Sequence, residues 1–321
     1  MQHIIICLFA FIYLFVSVNT FQNRIVLHEV ATYGDKNILL NIMDVIPFNS
    51  NSILVCDKLD YSFKLIEETG TISHSIGKRG KSKGDFMGPG NIAFNQENII
   101  VADFSSSRIQ MFDKKFEYMK KFYSPGPVFD LNVDKNKNFW IACYTGNKNE
   151  GLFLYNRSGK RLKNVKLRNT TGDLFKDIFT FTITNSNYLI ICYIVQNKIE
   201  VLDLNGNFIN EFVIKTLPKF AKEKVIQKNV FSKDLIAPEG NITQSIASDR
   251  KNNIYILGGD YSPNPFRDIY IYDVNGKFIQ KIVLPQKASL ININKEDMLY
   301  AVHNKRRIIK KYKIDLILEK R

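Results

Sequence analysis

Four histidines, His3, His28, His74 and His303, are the first place to look for metal chemistry. Zinc needs three or four N, S or O donors converging at about 2 Å. Each histidine stands alone on its own segment, without a His partner at ligand spacing, so no metal site is expected. Nucleophile motifs are missing too: there is no G-x-S-x-G, no Walker loop and no H-E-x-x-H. No catalytic residue and no cofactor is therefore assigned. Asp57 and Asp103 are the most tempting carboxylates, each ending an apolar run (ILVCD, IIVAD). An Asp at such a place bonds backbone N–H groups of the next loop, which gives both a structural role. Catalytic pairing of carboxylates from adjacent units is the competing reading. The loop Gly77–Gly90 is Gly-rich and basic, like a phosphate cradle, but a cradle opens a helix and this loop leads into a strand. Among the four cysteines, Cys7 lies in an apolar leader, leaving Cys56, Cys143 and Cys192, an odd number.

Whatever positions these residues must be a folded, basic chain. It has 321 residues, 45% hydrophobic and 12% aromatic, with a net charge of +14. That composition excludes intrinsic disorder and a disulfide scaffold. The charge points to anionic partners and says nothing about fold. Residues Ile4–Val18 form one apolar run with no charge before Arg24. It is shorter than the roughly 20 residues a spanning helix needs and suits a secretory signal over residues 1–20, with an N-terminal membrane anchor as the alternative. Export to a periplasmic, cell-envelope or extracellular location follows from either. Export also argues against nucleic acid as the partner of the basic strand Lys305–Lys313 (KRRIIKKYK). The sequons at Asn156, Asn169 and Asn241 decide nothing in an Asn-rich chain.

Repetition is the main signal. One pattern recurs: apolar strand, polar turn, apolar strand, loop, third strand ending in an acid or Asn, tight turn, fourth strand. Glu67, Asp113, Asn156, Asp203, Asp273 and Lys313 end the third strands, with spacings of 46, 43, 47, 70 and 40 residues. All but the longest match one four-stranded propeller blade, and the longest carries an insertion at about 215–244. Gly70, Gly159, Gly206 and Gly276 fall at the same point before the fourth strand, where a tight hairpin needs positive φ. Blade two has Lys114-Lys115 in the corresponding turn. The second strands are nearly continuous apolar runs, as expected for strands covered on both faces. The sixth repeat stops after three strands, and Arg24–Val30 reads as the missing outer strand. The predicted fold is all-β, a six-bladed propeller over residues 21–321, closed by its N-terminal strand against Arg307–Lys313.

The stretch Gly77-Lys-Arg-Gly80-Lys-Ser-Lys-Gly84-Asp-Phe86-Met-Gly88-Pro89, followed by Asn98–Asp103 and Arg108–Asp113, resembles an NHL repeat. The wider pattern resembles the secreted six-bladed NHL/TolB-like propellers of bacteria. Blades three and four depart from it, carrying Cys143 and Cys192 where the Asp would follow the second strand. The resemblance implies a ligand- or protein-binding platform. It also admits a zinc lyase, and fold alone transfers no activity.

Loop length selects a face. First-to-second and third-to-fourth turns are short throughout, whereas Gly77–Gly90, Tyr144–Gly151, 215–244 and Gly258–Asp268 all emerge on the other face. Long loops on a rigid scaffold are where binding resides. Gly77–Gly90 brings four basic residues against one acid, and Tyr261 and Arg267 add anchor-type side chains. Lys78, Arg79, Arg108, Tyr261 and Arg267 are accordingly the expected contacts for an unknown protein, glycan or other anionic ligand. A hydrolase or lyase using the propeller mouth is the alternative, and convergent carboxylates or His at the mouth would favour it.

Overall fold

The computed structural model describes residues 21–148, 150–173, 175–227 and 235–320. Residues 1–20, where a secretory signal is expected and where His3 and Cys7 fall, lie outside the described residues. Six four-stranded antiparallel sheets follow one another around a ring. Blade one is Ile42–Pro47, Ser52–Asp57, Ser62–Glu67 and Ile72–Ile76, ordered from the axis outward. Blades two to five begin at Pro89, Val128, Phe179 and Thr243. Between blades four and five, Glu223–Gln227 and Leu235–Pro238 pair as a separate hairpin.

Blade six takes its outer strand from the other end of the chain. Phe21–Tyr33 runs antiparallel to Ile308–Lys320, from Tyr33 opposite Ile309 to Phe21 opposite Lys320, with a bulge at Val30. The ladder is longer than the expected pairing of Arg24–Val30 with Arg307–Lys313, and its register is shifted: His28–Tyr33 lie opposite Ile309–Lys313, whereas Arg24–Leu27 pair with Ile314–Ile317. It continues past the Met298–Lys313 pair as a two-stranded ribbon. The ribbon is tied to blade five, where Gln280 donates to the Ile25 carbonyl (3.0 Å) and accepts from its N–H (2.7 Å).

Packing explains the sequence pattern. The second strands of blades one to three (SILVCD, NIIVAD, FWIAC) lie between neighbouring blades and are buried almost throughout, whereas outer strands such as Tyr118–Tyr123 alternate. Each interface forms its own apolar cluster; that between blades one and two includes Leu54, Phe63, Phe86, Val101 and Phe112. Each such side chain contributes roughly 1.5–3 kcal/mol on burial. Closure adds the sixth interface, where Tyr33, Val45, Val55, Tyr300 and Ile309 pack together. In the tight turns, Gly70, Gly159, Gly206 and Gly276 take φ between 73° and 87°. Blade two uses Phe116 at φ 70°, its ring buried against Phe48, Phe63 and His74. Cys56, Cys143 and Cys192 are free and buried. Burial pushes the thiols of Cys143 and Cys192 up to about 12.

Candidate functional site

Asp57 and Asp103 end the second strands of blades one and two, fully buried. Asp57 accepts the N–H groups of Leu40 (2.8 Å) and Asn41 (2.9 Å) and the Lys64 ammonium (3.0 Å). Asp103 accepts the Met87 N–H (3.0 Å) and the Arg108 guanidinium (2.9 Å). Both carboxylates thus hold the loop that enters their blade, and Asp57 also accepts the Asp60 N–H (3.4 Å) of the loop that follows it, the bond that was expected. The entering chain arrives beside the second-strand end and presents unpaired N–H groups there.

Arg108 requires a correction. It was expected to face a ligand, but it is 3% exposed. Its guanidinium donates to the carbonyls of Gly80 (3.5 Å), Lys81 (2.6 Å), Ser82 (3.2 Å) and Asp85 (2.7 Å), besides Asp103. Gln110 adds a bond to the same Asp85 carbonyl (2.8 Å) and one from the Gly84 N–H (3.0 Å). The loop Gly77–Gly90 is therefore knotted around a buried cation from inside. Lys78, Arg79, Lys81 and Lys83 stay exposed on its outer side. Arg79 lies over the Tyr61 ring at 5.7 Å and Lys83 over the Tyr118 ring at 5.9 Å. None of the four has an ion pair among the described residues.

Tyr261 and Arg267 sit on the same face, but part of their polar capacity is used internally. The Tyr261 hydroxyl accepts from the Lys222 N–H (2.6 Å) and donates to the Glu239 carbonyl (2.8 Å), fastening the base of the hairpin insertion. Arg267 Nε donates to the Leu284 carbonyl (2.7 Å). Of the five expected contacts, Lys78 and Arg79 are the exposed ones.

The second feature is the central channel; the propeller mouth was the expected place for a hydrolase or lyase, but the acids that line it, Asp44 and Asp130, carried no motif in the sequence. A cavity of about 410 Å³ is lined by the first strands and opens among the short turns, opposite the long loops. Lys135, Lys137, Arg250 and Lys295 stand at its mouth, and Asp44, Asp130, Thr180 and Ser245 lie deeper. Asp44 accepts the Ile92 N–H of blade two (2.9 Å), and Asp130 accepts the Phe181 N–H (2.9 Å) and Thr180 hydroxyl (2.6 Å) of blade four. Ser245 accepts the Ile291 N–H of blade six (3.1 Å). Each of these three polar side chains staples its blade to the next. Burial pushes the Asp44 carboxyl well above the usual carboxylate range, opposed by the Ile92 N–H and reinforced by the Asp130 charge. Burial raises Asp130 as well. A register signal was present: Asp44, Asn91, Asp130, Thr180 and Ser245 each pair with an equivalent second-strand residue, Cys56, Ala102, Ala142, Cys192 and Leu257; the same register puts Cys143 but not Cys192 at the position of Asp57 and Asp103, where blade four has Tyr193.

His303 is buried, its Nδ1 2.8 Å from the Lys287 carbonyl, and burial lowers its pKa. No cluster of three or more His, Cys, Asp or Glu residues among the described residues is arranged to hold a metal ion.

These features define a six-bladed β-propeller with a basic loop face and a polar channel. No protein-family model and no curated protein sequence matches the chain. Solved structures do match in fold. A member of the DUF4221 family from Bacteroides vulgatus aligns with a TM-score of 0.63 at 10% identity, covering 93% of this chain and 99% of that one. A Bacteroides thetaiotaomicron protein of unknown function aligns at 0.61 and 10% identity, covering 92% and 77%. Virginiamycin B lyase from Staphylococcus aureus aligns at 0.58 and 13% identity, covering 90% and 99%. At these identities the likeness is one of architecture.

Proposed function

We propose that the protein is an exported binding module whose long-loop face takes an anionic ligand. The observation that carries this reading is the Arg108-knotted loop. A buried guanidinium holds the backbone while four cations on the outside are without ion pairs among the described residues. Preorganised, unneutralised cations attract a polyanion without first breaking an internal pair or ordering the loop. Export rests on the apolar run Ile4–Val18, which also supports membrane association through the N-terminus.

A propeller-mouth hydrolase or lyase is the second reading, favoured by Asp44 and Asp130 in the channel and by the lyase among the fold relatives. Against it, Asp44 and Asp130 each already accept backbone N–H groups from their own and the next blade. His303, at the second-strand end of blade six, is not among the channel-lining residues. Binding is the reading the geometry supports better.

Retention on immobilised dextran sulfate tests it. Lys78→Glu with Arg79→Glu is expected to abolish retention, and Lys135→Glu with Lys137→Glu at the channel mouth to leave it intact. Equal loss from both pairs, or none from the first, would refute the assignment.

A further inference from the structure

The cations of the long-loop face surround exposed apolar side chains, and the two are physically continuous. Leu40, Leu59 and Phe104 are 38%, 56% and 42% exposed. Leu40 N–H is fixed by Asp57, and the Asn41 carbonyl accepts from Lys58 N–H (2.9 Å), so Leu40 and Leu59 belong to adjoining loops. Tyr61, two residues past Leu59, carries Arg79 over its ring, bringing in the loop Gly77–Gly90. The Phe104 N–H donates to the Gly88 carbonyl (3.0 Å) at the end of that loop. On the other flank, Arg307 donates to the Lys36 carbonyl (3.1 Å), joining Lys305 and Arg306 to the loop that carries Leu40. One arc contributed by blades six, one and two therefore presents three apolar tips among exposed cations. Lys36, Lys78, Arg79, Lys81, Lys305 and Arg306 have no ion pair among the described residues. Asp60, the acid beside Leu59, shares the Lys64 ammonium (2.7 Å) with buried Asp57, and Asp35 is exposed beside Lys36, so the exposed cations of the arc outnumber its acids without being free of them. The combination recurs across the same face, where Phe220 is 52% exposed beside Lys219, whose amine lies 5.5 Å from its ring centre. Phe220 bridges to Gln196 in the second-to-third-strand loop of blade four, which places it on the long-loop side.

Scattered surface Leu or Phe residues are ordinary. Apolar tips set on rigid loops and ringed by unpaired cations are different. A soluble polyanion would satisfy the charges and leave the apolar side chains in water. An anionic bilayer satisfies both, because headgroup phosphates meet the Lys and Arg while short apolar side chains enter the headgroup–acyl boundary. We propose that this arc docks the propeller on an anionic phospholipid surface, with Leu59 and Phe104 inserting and Lys78, Arg79, Lys81 and Arg306 engaging phosphates. The proposal rests on the long-loop reading and names its partner.

The test uses the chain from Phe21 onward, which contains the whole closed ring and lacks the apolar leader. Sedimentation with phosphatidylcholine vesicles is compared with vesicles that also contain phosphatidylglycerol. The expected result is at least roughly tenfold stronger binding to the anionic vesicles. Leu59→Ser with Phe104→Ser is expected to weaken vesicle binding about tenfold while dextran sulfate retention stays unchanged, which also shows that the variant is folded. Lys78→Glu with Arg79→Glu should lose both. Equal binding to the two vesicle types, or full vesicle binding by the Leu59/Phe104 variant, overturns the lipid proposal while polyanion retention keeps the long-loop reading standing. Loss of neither activity in the charge-reversed variant overturns both.

Discussion

At the residue scale, two buried ionic groups set the character of the molecule. Arg108 and Asp103 are paired at 2.9 Å and almost wholly buried. Removing the cation strands a buried carboxylate, so Arg108→Ala should cost about 3–5 kcal/mol in urea denaturation. Asp103→Asn combined with Arg108→Gln removes both charges and should recover part of that loss. Asp44 behaves in the opposite sense. Its folded pKa lies above its unfolded value, so the folded state binds the proton more tightly. The contribution is present below the unfolded pKa and is lost as pH rises through the folded pKa. Asp44→Asn should therefore gain stability relative to the parent as pH is raised from 4 to 8, measured by denaturation at several pH values; a constant difference would contradict this. Asp57 and Asp103 were legible as structural acids because they end repeated apolar strands. Asp44 and Asp130 escaped because an isolated acid in a short strand carries no motif; only the inter-strand register reveals that they are equivalent. The role of Arg108 was misread because sequence shows a charge but not the four carbonyls that enclose it.

Among the elements, the closing strand matters most. The N–H and C=O groups along Ile308–Lys320 are covered by a strand nearly 300 residues away in sequence. Deleting residues 21–31 should expose that edge and convert a monodisperse chain into aggregates, read by light scattering. A soluble monomer of unchanged stability would show that the ring does not depend on the strand. Blade period, the turn glycines and the identity of the closing strand could all be read from spacing, because each blade repeats the same local chemistry. The length and register of the closing ladder could not, since they depend on a pairing between chain ends that no local pattern specifies. Nor could the turn at Phe116, where burial of the ring against three neighbours offsets a left-handed backbone that favours glycine.

Across the whole molecule, the ring separates two kinds of surface. Short turns close one end around the channel mouth, and their Asp and Asn side chains are largely spent on their own backbones, as Asp113, Asp134, Asn156, Asp203, Asp249 and Asp273 are. Long loops at the other end hold exposed cations on a frame fixed by buried ion pairs. The central claim is that this second surface is the one that binds. Lysine acetylation footprinting, read by mass spectrometry on the free protein and on the protein saturated with dextran sulfate, locates the contact directly. Lys78, Lys81, Lys83 and Lys305 are expected to be protected, with Lys135 and Lys295 remaining reactive. Protection of Lys135 and Lys295, with the long-loop lysines still labelled, would contradict it.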